Sequence, residues 1–399
     1  MRWASALSER PDLGQAAAEA AAEVNAALGG AAPDMVLVFV SSAHAAAYAR
    51  VPATFSAFFP GATVLGCSGG GVIGDGREVE AAPALSVTAA ALPGVTVTPI
   101  RIASGRVLPP PSDADAWHAL IGVPPADRPH FLLLPDPFTS EAEELVRGLD
   151  AAYPAGRKVG GLASGGEAPG RNALFLDQEH FRTGTVGVAL HGNVAVDTIV
   201  AQGCRPLGDP MAITECEDNV VYELGGAAPM KVLGEIFEGA GERDQSLMRH
   251  SLFVGLEMRE GQTPFRDGEL LVRNIVGADQ ESGALAIGAY PRAQQVLQFV
   301  LRDADAARAD LDEQLGRYAR GVAAEPAGRP GPAGALLFSC LGRGQQLFGE
   351  PDHDSRRLFE HLGRMPLGGF FCNGEIGQVG GETFLHGYTS CFGVFRPLR

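Results

Sequence analysis

No CxxC pair occurs among the six cysteines, at positions 67, 204, 216, 340, 372 and 391. A structural zinc site is therefore not expected, and scattered single thiols read as a reduced chain rather than a disulfide scaffold. Basic charge is also scarce. Against 47 Asp and Glu stand 31 Lys and Arg, a formal net charge of −16. Such a surface repels phosphate backbones, and no basic stripe interrupts it, so nucleic acid is not an expected partner. No apolar run approaches the ~18 residues that read as a membrane-spanning helix, so no membrane is expected either. Residues Met1 to Gly30 lack the basic head and leucine-rich core of a secretory leader. They read as an Ala-rich helix carrying Glu19 and Glu23, which points to a cytoplasmic chain.

What is present suits a large core. Of 399 residues, 46% are hydrophobic and 20% charged, a size and balance that predict two or three domains. The 53 glycines lie beside apolar runs, so they mark tight turns rather than disorder.

One cassette recurs. Gly368-Gly369-Phe370-Phe371-Cys372-Asn373-Gly374-Glu375-Ile376-Gly377 reads as a strand entering a polar glycine turn. Thr63 to Gly71 and Lys158 to Gly166 repeat it in weaker form. Met35 to Ser68 spans 33 positions, Phe131 to Ser164 also 33, and Leu336 to Asn373 spans 37. Each copy reads as strand, helix, strand, glycine turn and closing strand. This predicts an α/β fold with mixed sheets built from duplicated strand–helix–strand units. Helices are predicted over Pro11–Leu28, Ala43–Phe59 with an interruption at Pro52, and Ser140–Tyr153, the last capped by Thr139 or Ser140, and over Asp303–Arg320 with Asp303 as its cap. Two stretches read as linkers or long loops: Ser104–Pro129 and Ala323–Gly334.

Several chemistries are weighed on residue types alone. Gly69 to Gly74 satisfies GxGxxG, but Gly74-Asp75-Gly76 is poor helix material and no acidic residue follows at ~20 positions, against a dinucleotide site. Gly160 to Gly166 lacks the Lys-Ser/Thr of a phosphate loop. Glu375, Glu382 and His386 have irregular spacing for a metal, so neither metal nor cofactor is expected. Cys372 or Cys340 as a nucleophile with His386 as base is the catalytic rival; small residues packing under a turn are the plainer account. Arg273, Asn274 and Asp279 flank another strand end, where they either fix a loop or bind a zwitterion.

Leu271 to Asp279, Phe370 to Gly377 and Phe384-Leu385-His386-Gly387-Tyr388-Thr389 resemble the signature of the FIST family. The resemblance covers nearly the whole chain: an N-terminal helix over 1–32, a FIST N-terminal-like domain over 33–216 and a FIST C-terminal-like domain over 217–399. It departs at Gln378, where proline is common in the family, and at Cys372, where a small residue is common. The resemblance implies a standalone sensory protein that binds a small ligand, an amino acid or related metabolite, and signals to a protein partner. The rivals are an enzyme of unknown reaction and an interaction scaffold. The implied ligand residues are Arg273, Asn274, Asp279, Cys372, Asn373, Gly374, Glu375 and His386. A cation for a carboxylate, an anion for an ammonium and glycine-freed amides are what a small zwitterion needs.

Overall fold

The computed structural model describes residues 1–259, 270–324 and 330–398. It is α/β with mixed sheets, and the chain divides into two compact units. Unit 1 comprises Met1–Val200, Asp312–Leu385 and Thr389–Arg399; unit 2 comprises Ala201–Leu311 and His386–Tyr388.

Chain order shows the repeat. The first copy is β1 (Arg2–Ser8), α1 (Leu13–Leu28), β2 (Met35–Ser41), α2 (Val51–Phe58), β3 (Thr63–Gly69), β4 (Gly71–Gly74), β5 (Arg77–Glu80) and β6 (Leu85–Ala91). The second is β7 (Val95–Ile102), α3 (Ala114–Ile121), β8 (His130–Pro135), α4 (Ala142–Ala152), β9 (Lys158–Gly161), β10 (Leu174–Leu176), β11 (Glu179–Phe181) and β12 (Thr185–Gly192). The third opens with β13 (Ala195–Gln202). Unit 2 then intervenes, with β14 (Cys204–Glu217), β15 (Val220–Leu224), α5 (Pro229–Gly239), α6 (Glu242–Met248), β16 (Leu252–Glu257), β17 (Leu270–Arg273), β18 (Ile275–Ala278), β19 (Leu285–Ile287) and β20 (Val296–Arg302). The third copy resumes with α7 (Ala304–Ala323), β21 (Gly334–Cys340), α8 (Gln345–Phe348), α9 (His353–Leu362), β22 (Leu367–Cys372), β23 (Glu375–Val379), β24 (Glu382–His386) and β25 (Thr389–Arg396).

Each copy builds one six-stranded sheet and lends two strands to another. The orders are β1-β6-β2-β3-β10-β11, β7-β12-β8-β9-β23-β24 and β13-β25-β21-β22-β4-β5. In all three the second and third strands of a copy pair in parallel and its last strand returns antiparallel. The exchange is cyclic: copy 2 completes the sheet of copy 1, copy 3 that of copy 2, and copy 1 that of copy 3. Unit 2 holds its own sheet, β17-β16-β20-β14-β15-β19-β18.

Apolar runs without alternation are the reason the central strands bury both faces. Along β2, Met35, Leu37 and Phe39 join the core shared by strands of all three copies. Val36, Val38 and Val40 face α1 and α2 with Leu13, Val24 and Phe55. Each such side chain contributes about 1.5–3 kcal/mol of burial.

Some local expectations fail for identifiable reasons. Arg2–Ser8, expected to be helical, pairs with β6 as an edge strand. Its residues bury by belonging to a sheet, which short-range propensity does not encode. α4 is capped by neither Thr139 nor Ser140, because both hydroxyls bond to Asp136. Ser104–Pro129 contains α3, so it is not merely a linker; in Ala323–Gly334, residues 325–329 lie outside the described ones. Asp303 does cap its helix, accepting from Asp305 N at 2.9 Å.

Candidate functional site

Three equivalent glycines set the registers of the turns. A Cβ on Gly66, Gly160 or Gly369 would lie 1.9 Å from the carbonyl oxygen of Val38, Leu133 or Leu337 on the neighbouring strand. These positions align the copies, so Ser164 and Asn373 correspond to Gly70 rather than to Ser68. The turns then meet. Asn373 N donates to Leu162 O at 3.1 Å, Leu162 N to Gly374 O at 2.9 Å, and Ser164 N to Ser68 O at 3.1 Å. The Ser164 hydroxyl accepts from Gly70 N at 2.8 Å and donates to Phe371 O, closing the ring of contacts.

Glu375 starts β23 at this junction with no exposed surface. Its Oε2 accepts from Thr389 N at 3.1 Å and Oγ1 at 2.6 Å, and its Oε1 accepts from Cys372 Sγ at 3.4 Å. Burial raises its carboxyl to about 7, against the Thr389 bonds and the field of Arg343. Burial, then the neighbouring Glu375, pushes the Cys372 thiol well above its usual range. A protonated, buried thiol is a poor resting nucleophile, which weighs against catalysis through Cys372.

The cation felt at Glu375 is Arg343, itself 1% exposed. It grips Asp354 with Nε to Oδ2 at 2.8 Å and Nη2 to Oδ1 at 2.9 Å. Ser339 Oγ and His353 Nδ1 lie 3.2 and 3.0 Å from the same carboxylate. Burial works against the Asp354 charge, but Arg343 and His353 overcome it and hold the carboxyl well below its usual range. Glu78 behaves oppositely. Burial and the nearby Asp354 charge raise it to about 8, despite two 2.7 Å bonds from Ser355. Sequence reasoning missed this group; its available signal was an arginine between two glycines, Gly342-Arg343-Gly344, just after an apolar strand.

Of the residues expected from sequence, unit 1 gathers Cys372, Asn373, Gly374 and Glu375 in one turn. Asn373 Nδ2 donates to Ala163 O at 3.2 Å. Arg273, Asn274, Asp279 and His386 belong to unit 2. There Asn274 accepts from the Tyr388 hydroxyl, Arg273 Nη1 donates to Val272 O at 3.1 Å, and Asp279 binds its own loop through Glu281 N and Ser282. His386 is buried.

A cleft of about 420 Å³ opens in unit 1 where the β23–β24 turn meets β13, α7 and Arg157. Asp197, Thr198, Tyr318, Gln378, Gly380 and Gly381 line it with Arg157. Asp197 Oδ2 accepts from Tyr318 Oη at 3.0 Å and Arg396 Nε at 2.9 Å. Arg157 makes no ion pair among the described residues, and its backbone N donates to His130 Nδ1 at 3.0 Å. Burial and then the Arg157 charge lower His130 to about 4, so the ring is neutral at physiological pH.

Residues 34–227 match the FIST N domain and residues 229–378 the FIST C domain. The chain belongs to the FIST family. It is 35% identical over 398 residues to an uncharacterized protein of Mycobacterium tuberculosis (strain ATCC 25618 / H37Rv), covering 99% of this chain and 100% of that one. An uncharacterized protein of Mycobacterium bovis is 35% identical over 395 residues, covering 99% of each. An F-box/LRR-repeat protein of Arabidopsis thaliana is 30% identical over 161 residues, which are 37% of this chain and 28% of that protein. Among solved structures, the chain is similar to a cyanuric acid hydrolase from A. caulinodans over 99% of both chains, with a TM-score of 0.31 and 10% identity. FIST domains are associated with signal transduction and small-ligand sensing. The stretch matching the FIST C domain ends at Gln378, on the wall of the cleft. No helix among the described residues is long and apolar enough to cross a membrane.

Proposed function

We propose that this FIST protein is a cytoplasmic sensor whose ligand is an amino acid or related metabolite and whose output is read by a signalling protein. The observation that carries the reading is the cleft beside the signature hairpin. Its volume lies within the ~300–1,000 Å³ common for small-molecule sites. Arg157, which makes no ion pair among the described residues, and a carboxylate, Asp197, both line it, together with Gly380 and Gly381. That is the pairing of charges a zwitterion requires. Cys372, Asn373, Gly374 and Glu375 then act by fixing the hairpin that carries the cleft wall. For Arg273, Asn274, Asp279 and His386 we propose a ligand-responsive role within unit 2.

Thermal unfolding of the purified protein against an amino-acid and metabolite panel tests the reading. A ligand at about 100 times its Kd adds about 2.7 kcal/mol and raises the melting temperature. Arg157→Ala is expected to abolish that rise while leaving the ligand-free melting temperature unchanged. A panel in which no member stabilises the protein would overturn the proposal.

A further inference from the structure

We propose that the Gln378 side chain sets what the cleft accepts: a small carboxylate that also carries an amine or hydroxyl donor, the carboxylate on Arg157 and the donor on Gln378 Oε1. The proposal rests on the sensor reading above and assigns its specificity to one residue. Gln378 is 8% exposed and lines the cleft. Its Nε2 donates to Gly381 O at 2.8 Å, which fixes the amide's orientation and makes the remaining atom an acceptor. That atom, Oε1, is buried and receives no hydrogen bond. A buried acceptor without a donor is costly, so a ligand that brings one gains more than its contact area implies.

The surroundings define the other end of the ligand. The Arg157 guanidinium is exposed and free of ion pairs among the described residues, and it suits a carboxylate better than a hydroxyl. Both hydrogen bonds to Asp197 fall on Oδ2, leaving Oδ1 to favour an ammonium over a hydroxyl. A side chain on Gly381 would meet nothing within 4 Å, so the turn leaves room at the mouth. A carboxylate lacking the donor leaves Oε1 as unsatisfied as it is in the free protein and forgoes the gain that an amine brings.

The test is calorimetric titration of the full chain with matched probes: L-alanine and propionate, L-leucine and 4-methylpentanoate, L-glutamate and glutarate. The expected result is that amino members bind at least about tenfold more tightly than their partners in the wild type, a ratio reduced to about threefold or less in Gln378→Met. Arg157→Ala weakens both members of a pair alike. Gln378→Glu, which restores an acceptor and adds charge, is expected to keep or widen the ratio and serves if the methionine variant folds poorly. Probes that bind with the same ratio in wild type and Gln378→Met would overturn the role of Gln378 and leave the sensor reading standing. Absence of binding by every probe at millimolar concentration would overturn both.

Discussion

Glu375 is held by three donors and sealed from water, and that combination makes it a proton-linked element of stability. Its carboxyl moves from 4.5 to about 7 on folding. The folded state therefore binds the proton more tightly, and the stabilisation is fully present below pH 4.5 and lost as pH rises through 7. The gap corresponds to about 3 kcal/mol. His130 acts in the opposite sense between its ordinary 6.5 and about 4, because its charged form is favoured in the unfolded chain. Subtraction isolates the glutamate. Urea denaturation of wild type and Glu375→Gln is expected to show the wild type losing about 3 kcal/mol relative to the variant between pH 4.5 and 7.5; a difference flat across that range would show the carboxyl to be ordinary. Glu375 and Cys372 were legible in the sequence because they share a turn with glycines. The group of Arg343, Asp354 and Glu78 was not, because Glu78 reaches the other two only through β5 of the first copy being lent to the sheet of the third.

Elements show where one-dimensional pattern suffices. Met35–Val40, Phe131–Leu134 and Thr185–Leu190 are apolar runs, buried whichever way they face, and read as strands from the sequence. The apolar stretch around Arg273 and Asn274 is broken at Asn274 into β17 and β18, since its two halves pair with different partners. The turns were recognised, but counting residues aligned Ser68 with Ser164 and Asn373, whereas strand pairing aligns Gly70. Substitution separates the two kinds of glycine. Gly369→Ala and Gly160→Ala drive a Cβ into backbone carbonyls of adjacent strands, which have no rotamer to yield. Each is expected to cost more than about 4 kcal/mol. At Gly70 the new Cβ meets the tip of Leu341, a 39% exposed side chain free to turn aside. Gly70→Ala is expected to cost under about 1 kcal/mol. Equal losses at Gly70 and Gly369 in denaturant melts would contradict the assigned register.

At the scale of unit 1, cyclic strand exchange decides how the chain comes apart. An ordinary tandem array lets each repeat contact only its neighbours, and its ends fray first. Here the first copy's β4 and β5 complete the sheet that contains β25, and the third copy's β23 and β24 complete the sheet that contains β7. Opening any one copy strips two strands from another's sheet and exposes the shared core that joins Leu37, Leu132 and Phe338. The sequence announced the three cassettes, yet nothing local in it announced the exchange, because β4, β10 and β23 read equally well as partners of the strands they follow. Native-state hydrogen exchange checks the consequence. Amides in β2, β8 and β21 are expected to share one opening free energy, that of global unfolding, and to shift together in Gly369→Ala. Amides in unit 2, which closes its own seven-stranded sheet around Leu256, Ile287 and Phe299, are expected to report a separate opening. If the third copy exchanged through a lower opening while the first stayed protected, the copies would be independent modules, and the lent strands would be edge additions rather than the closure of one fold.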